Sequence, residues 1–422
     1  MKKVFLTAAT SLVIFCLVVL LPGCLKDSCQ NTYRIYMPVY KTLTQARAEM
    51  KSNAPQTLQN TGKIYVFGNY IFLNELNKGI HVIDNSNPSS PRNINFINIP
   101  NNVDLAVKGN YLYADSYSDI IVFDISNPAN VTPVKFMNNV IKDRNAYWFG
   151  NRTNPDSIMV LVGHTEKDTT VDCAVYQGWV NCPSCSMLYS SGVGTPAFYT
   201  AAPQVGVGGS MARFTITNDY LYAVSNSDLY SINISTPDNP QQANTKKLGW
   251  NIETIYPFQN KLFIGSRTGM FIYDLSNPSN PVQQAQFSHF TSCDPVIADG
   301  QFAYVTLSSG NTCQGNINEL DVIDISNLSS PVLKKTYSLT NPHGLSKDGN
   351  YLFICDGSDG LKIYNANNPV NIQLIKQIKE LETYDVIAMN GRAIVVAKNG
   401  LYQYNYSNPD NITQISKISI SK

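Results

Sequence analysis

The chain has 422 residues, enough for two or three ordinary domains, yet composition narrows the possibilities more than length does. Lys and Arg total 31 against 30 Asp and Glu, a net charge of +1, so there is no cationic surplus and no polybasic run to hold nucleic acid. Charged residues make up only 14% of the chain, below the roughly 25% of soluble domains, while 43% is hydrophobic; a disordered chain and a multi-span membrane protein are both excluded.

The first element is an address. Lys2 and Lys3 precede an apolar stretch over residues 5–21, which runs into Leu21-Pro22-Gly23-Cys24. This is similar to a bacterial lipoprotein signal, in which the chain is cut before the cysteine and that cysteine is acylated; the small Gly23 favours this over an uncleaved single span. The resemblance implies a signal peptide over 1–23, a lipid on Cys24 as the membrane partner, and a mature chain outside the cytoplasm, at the outer membrane. Residues 24–61 read as a tether and a brace. Within them TYRIYMPVYK is expected to form a strand against the first or last blade of the fold below, and TLTQARAEMKS a short helix ended by Pro55.

Export changes the reading of the nine cysteines. Apart from Cys16 and Cys24 there remain Cys29, Cys173, Cys182, Cys185, Cys293, Cys313 and Cys355, an odd number that leaves at least one unpaired. Cys182-Pro-Ser-Cys185 has the spacing of a redox or zinc pair. It lacks a second pair, and its Gly, Ser, Tyr and Pro neighbours do not open a helix, so a structural disulfide is favoured over metal or redox chemistry. A Cys293–Cys313 disulfide is expected across the long hairpin of one repeat.

Seven segments share a pattern: an apolar strand, an Asp or Asn, and a Ser-Asn-Pro-like turn. The anchoring residues are Asp84, Asp124, Asn233, Asp274, Asp324, Asn365 and Asn405, separated by 40, 109, 41, 50, 41 and 40 residues. The interval of 109 becomes a repeat if about 143–209 is an insertion. The interval of 50 becomes one if residues 308–316 lengthen a hairpin. Upstream of each anchor lies strand, two-residue turn, strand, as in GKIYVFGNYIFL, with turn residues that tolerate positive φ; downstream lies a fourth strand. Four strands per forty residues is a propeller blade, and strands apolar on both faces fit blades packed between blades. The fold class is therefore all-β, a seven-bladed β-propeller of four-stranded blades over 62–422. The Asp or Asn after the third strand is read as the head of an Asx-turn, with the proline ending the ladder.

These units resemble the LVIVD-repeat family of extracytoplasmic β-propellers, most closely in LDVID at 320–324 and IHVID at 80–84. The resemblance implies a seven-bladed, surface-attached lipoprotein and brings no catalytic motif.

The first strand of each blade lines a central channel, so its first residues form a rim. Counting back from the glycine of the first turn places Asp294, His343 and Asp385 at equivalent positions, Asp104 and Arg213 one later and Glu253 one earlier. The rim is read as a recognition surface for a glycan, peptide or protein. Two rival readings stand beside it: a wet channel mouth without a ligand, and a hydrolase or lyase using the carboxylates. No cofactor is expected, and no metal, because the groups come from a ring wider than one coordination shell. Asp356-Gly-Ser-Asp-Gly360 is too short for an EF-hand and is read as a turn.

Overall fold

The structure is a computed structural model describing residues 30–142, 148–149, 154, 156–172, 205–249, 251–288, 295–309 and 317–421. It divides into two compact units, Met1–Pro38 with His164–Ser191, and Val39–Gly163 with Gly192–Lys422.

The larger unit is a seven-bladed propeller. Blade one is built on Thr61–Phe67, Tyr70–Glu75, Gly79–Asp84 and Arg92–Asn98, and the remaining six blades are four-stranded antiparallel sheets in sequence order. In every blade a two-residue loop joins the first strand to the second. The loops begin at Gly68, Gly109, Asn218, Gln259, Gly300, Gly349 and Asn390, all with φ between 47° and 58°, the conformation such hairpins need. The middle strands are buried along nearly their whole length, because both faces are covered by neighbouring blades.

The Asx-turns form in all seven repeats. The side-chain Oδ1 of Asp84, Asp124, Asn233, Asp274, Asp324, Asn365 and Asn405 accepts from the backbone N–H two residues on, at 2.5 to 3.0 Å. The turn also ties blades together. Asn95 of blade one donates to the carbonyl of Pro128, Tyr113 of blade two to Pro237, Tyr222 of blade three to Pro278, Tyr337 of blade five to Pro369, and Gln403 of blade seven to Pro88. The prolines that end the ladders are thus also the acceptors between blades.

The segment before blade one braces the outside. Ser52–Asn53 adds to the outer edge of blade one, and Ser52 exchanges hydrogen bonds with Val131 at the end of the blade-two turn. The helix is short, Leu43–Ala48, with a capping box between Thr42 and Gln45. The N-terminal strand Gln30–Thr42 departs from the sequence expectation. It pairs with Met159–Asp172 in a separate three-stranded sheet, not with a blade, because the insertion supplies a long strand to meet it. Among the described residues no helix is long and apolar enough to cross a membrane.

Asp84 and Asp324 are held at about 2, first by the hydroxyl and N–H of the serine two residues on, then by Arg92 and Lys334. Asp274 is held at about 2, first by Lys261 and then by Ser276. Unfolded aspartates titrate near ~3.9. Their contribution is therefore complete above that value and lost as pH falls toward 2. Asn already fills this position in three repeats. The triple variant Asp84→Asn, Asp274→Asn, Asp324→Asn should keep the fold and show a shallower loss of stability in acid, read by circular dichroism in urea across a pH series.

Candidate functional site

The hairpin register defines which residues are equivalent around the channel. Five residues before each first turn stand Lys63, Asp104, Arg213, Thr254, Pro295, Gly344 and Asp385. This corrects the alignment drawn from sequence. Blade seven turns on Asn390-Gly391, so its glycine is second in the loop, and Asp385 belongs with Asp104 and Arg213. His343 and Asp294 precede the ring by one residue. Lys63 was missed by sequence reasoning, which placed Gly62 at this point. Its signal was present: Lys63 precedes Gly68 by the same interval that separates Asp104 from Gly109.

The first strands are bonded to a further segment of the chain. Residues 205–213, the return of the insertion, run inward before blade three begins. Val207–Gly208 pairs with the inner edge of blade one at Tyr65 and Val66, and the Gly206 N–H donates to Val107 of blade two. The Ala212 carbonyl accepts from Ile255 of blade four, and the Ser210 hydroxyl from the N–H of Leu345 of blade six. This strap satisfies backbone groups on four first strands. Glycine is needed at 206, because a Cβ there would overlap the ring of Tyr65.

Burial overturns the picture of an open rim at two positions. Asp104 is 1% exposed and Asp385 0%. Lys63 Nζ lies 3.0 Å from Asp104 Oδ2 and 3.2 Å from the Met211 carbonyl of the strap. Asp104 also accepts from the backbone N–H groups of Arg213 and Leu105. Asp385 Oδ1 accepts from the N–H of Val386, and its buried Oδ2 has no hydrogen-bond partner. Burial pushes the Asp385 carboxyl well above the usual carboxylate range, against the opposing pulls of the Val386 N–H and Lys63. The Lys63–Asp104 pair is itself buried.

Other predicted residues reach the surface in part. The Arg213 guanidinium donates to the carbonyls of Ile252 and Glu253, each at 3.3 Å, and Arg267 pairs with Glu253 at 2.9 Å. His343 meets Tyr384 edge-on with centroids 5.8 Å apart, and its Nε2 lies 3.3 Å from Asn341 Nδ2. Tyr384 donates to Glu382, which Lys398 also contacts. Burial lowers the His343 imidazole below its ordinary value, opposed by Asp356 and Glu382. Asp356 caps the loop leading into blade six, accepting from the N–H groups of Thr340 and Asn341 and pairing with Lys362. Cys24, Cys182, Cys185, Cys293, Asp294 and Cys313 lie outside the described residues. Cys355 is described, free and buried. Among the described residues no group of three or more His, Cys, Asp or Glu is placed to hold a metal ion.

The fold defines the class, a seven-bladed β-propeller. The model of the LVIVD repeat matches residues 60–95, 101–138, 260–287 and 293–339, and the chain carries LVIVD repeats. A comparison with curated proteins finds no match. A protein from Lactobacillus plantarum shares the fold at a TM-score of 0.51 and 12% identity, over 85% of this chain and 97% of its own. A functionally unknown protein from Desulfotomaculum acetoxidans aligns at a TM-score of 0.46 and 10% identity, over 85% and 95%. The computationally designed Ika8 protein aligns at 0.49 and 7%, over 87% and 90%. At 12% identity the first of these speaks to the fold alone.

Two predictions follow from the ring. Lys63→Met strands the buried Asp104 carboxylate and should cost about 3–5 kcal/mol. The double variant Lys63→Met/Asp104→Asn should be less damaging than Lys63→Met alone, by urea denaturation. Asp385 is raised in the fold, so its unfolded form ionises first and stability falls as pH rises above the unfolded value. Asp385→Asn is accordingly expected to raise the melting temperature at neutral pH, with the gain shrinking toward pH ~4.

Proposed function

We propose that this protein is a binding or scaffold propeller, non-catalytic, held at the extracytoplasmic face of a membrane by a lipid on Cys24. The observation that carries the non-catalytic part is burial: the strap pairs with four of the first strands, and Asp104 and Asp385 are both buried. A hydrolase working from these carboxylates would need them at solvent. The polar groups left at the strap side of the first strands come from two places, Arg213 with Glu253 and Arg267, and His343 with Glu382 and Tyr384. His343 shares its repeat position with Asp294. This surface carries both charges and an aromatic ring, a lining suited to hydroxyls and amides of a glycan or peptide. The lipid reading is supported by Leu21-Pro22-Gly23-Cys24 behind the apolar stretch of residues 5–21.

The test has two arms. Cys24→Ala should move the protein from the membrane pellet to the soluble fraction; retention in the pellet would favour an uncleaved span. In the second arm, glycan and peptide arrays are probed with wild type and with Arg213→Ala/His343→Ala, which should lose at least about tenfold in affinity for whatever binds. Turnover of an arrayed glycan, lost in Asp385→Asn, would overturn the non-catalytic reading.

A further inference from the structure

We propose that the outer cleft between blades six and seven binds a neutral sugar unit of a glycan, at a site separate from the rim and independent of the lipid reading. The cleft holds about 470 Å³, within the roughly 300–1,000 Å³ of small-molecule sites. Its walls are the fourth strand of blade six, Gln373–Ile378, and the third and fourth strands of blade seven, Gly400–Asn405 and Thr413–Ser419. Ile378, Leu381 and Ile412 give it apolar surface, and Lys376, Glu380 and Gln414 bring polar groups. Tyr402 and Tyr404 also line it. They are two apart on one strand and so share a face, with their rings stacked at 14° and centroids 6.3 Å apart. Counted back from the Asx residue, no other blade has tyrosine at both positions; blade five has Asp321 and Ile323 there, and blade six Lys362 and Tyr364. The tyrosine pair is therefore not a requirement of the repeat.

The unsatisfied groups of the cleft indicate what it takes. Tyr404 is 5% exposed, yet among the described residues its hydroxyl has no hydrogen-bond partner. Other tyrosines of the blade are satisfied, Tyr402 donating to Asn399 and Tyr406 to Asp348. Burial, with Tyr402 and Glu380 nearby, pushes the Tyr404 phenol up to about 12, so its hydroxyl keeps its proton and can both donate and accept. Glu380 and Gln414 are exposed, and among the described residues neither side chain has a hydrogen bond or an ion pair. The two lysines beside them are engaged. Lys376 donates to the Ile412 carbonyl at 3.1 Å, and the Lys417 ammonium lies over the Tyr402 ring at 5.1 Å. An anion would thus meet a carboxylate and no uncommitted cation. An apolar ligand would bury the three polar groups without partners. A neutral sugar offers hydroxyls to the phenol, the carboxylate and the amide, and lays its C–H face on the aliphatic and aromatic surface.

The test titrates the full-length protein with a panel of neutral oligosaccharides of glucose, galactose, mannose and N-acetylglucosamine, read by saturation-transfer NMR and calorimetry. Tyr404→Phe deletes one unpartnered hydroxyl and Glu380→Ala one exposed carboxylate, so both variants should melt close to wild type. Wild type should bind at least one member of the panel, and each variant should weaken that binding at least about tenfold. A panel without a binder overturns the proposal. Wild-type affinity in both cleft variants also overturns it. Where Arg213→Ala/His343→Ala then abolishes the binding, the sugar belongs to the rim, and the proposed function stands while the cleft site falls.

Discussion

A sheet that is apolar on both faces cannot stand in water, and this constraint organises the propeller. Each blade must be covered on two sides, so no blade is a stable unit by itself and the row of blades has to close. The closing seam lies between blade seven and blade one. Every blade is made of strands consecutive in sequence, and the seam is bridged by other means. The amides of Asn85 and Gln403 hydrogen-bond reciprocally at 3.1 and 2.7 Å, and Leu58 forms a parallel bridge with Ile420.

Closure creates a second requirement at the centre. The inner edges of the first strands present backbone groups that are paired on one side only, and buried groups of this kind need partners. The strap at 205–213 supplies them for four blades. It also brings the Met211 carbonyl to Lys63 and the Arg213 N–H to Asp104. Lys63 and Asp104 pair with each other, and burial pushes the Asp385 carboxyl, with Oδ2 unpartnered, above the usual carboxylate range. Asp104 and Asp385 are thus interior groups, while Arg213, Glu253, His343 and Tyr384 stay partly exposed.

Much of the fold was legible in the sequence because its determinants are local. The Asx residue bonds two positions on, the hairpin loops need positive φ at one or two residues, and the strands show burial on both faces as unbroken apolar runs. The site was legible only in part. Counting from the nearest glycine put Asp385 out of register, because blade seven reverses the order of its turn residues, and the same count passed over Lys63. The strand Gln30–Thr42 was expected on a blade, since its alternating pattern says that it pairs but not with what.

The sequence by itself determined the repeat, the number of blades and the turn that ends each third strand, all interactions among residues a few positions apart. Tertiary structure alone decided that Pro128, Pro237 and Pro278 accept hydrogen bonds from preceding blades, that Gln30–Thr42 meets Met159–Asp172, and that Asp104 and Asp385 are buried. The reason is physical. Whether a carboxylate meets water depends on what lies over it, and here that is a segment beginning 101 positions after Asp104 in the chain, at Val205. Only closure of the ring brings the two together.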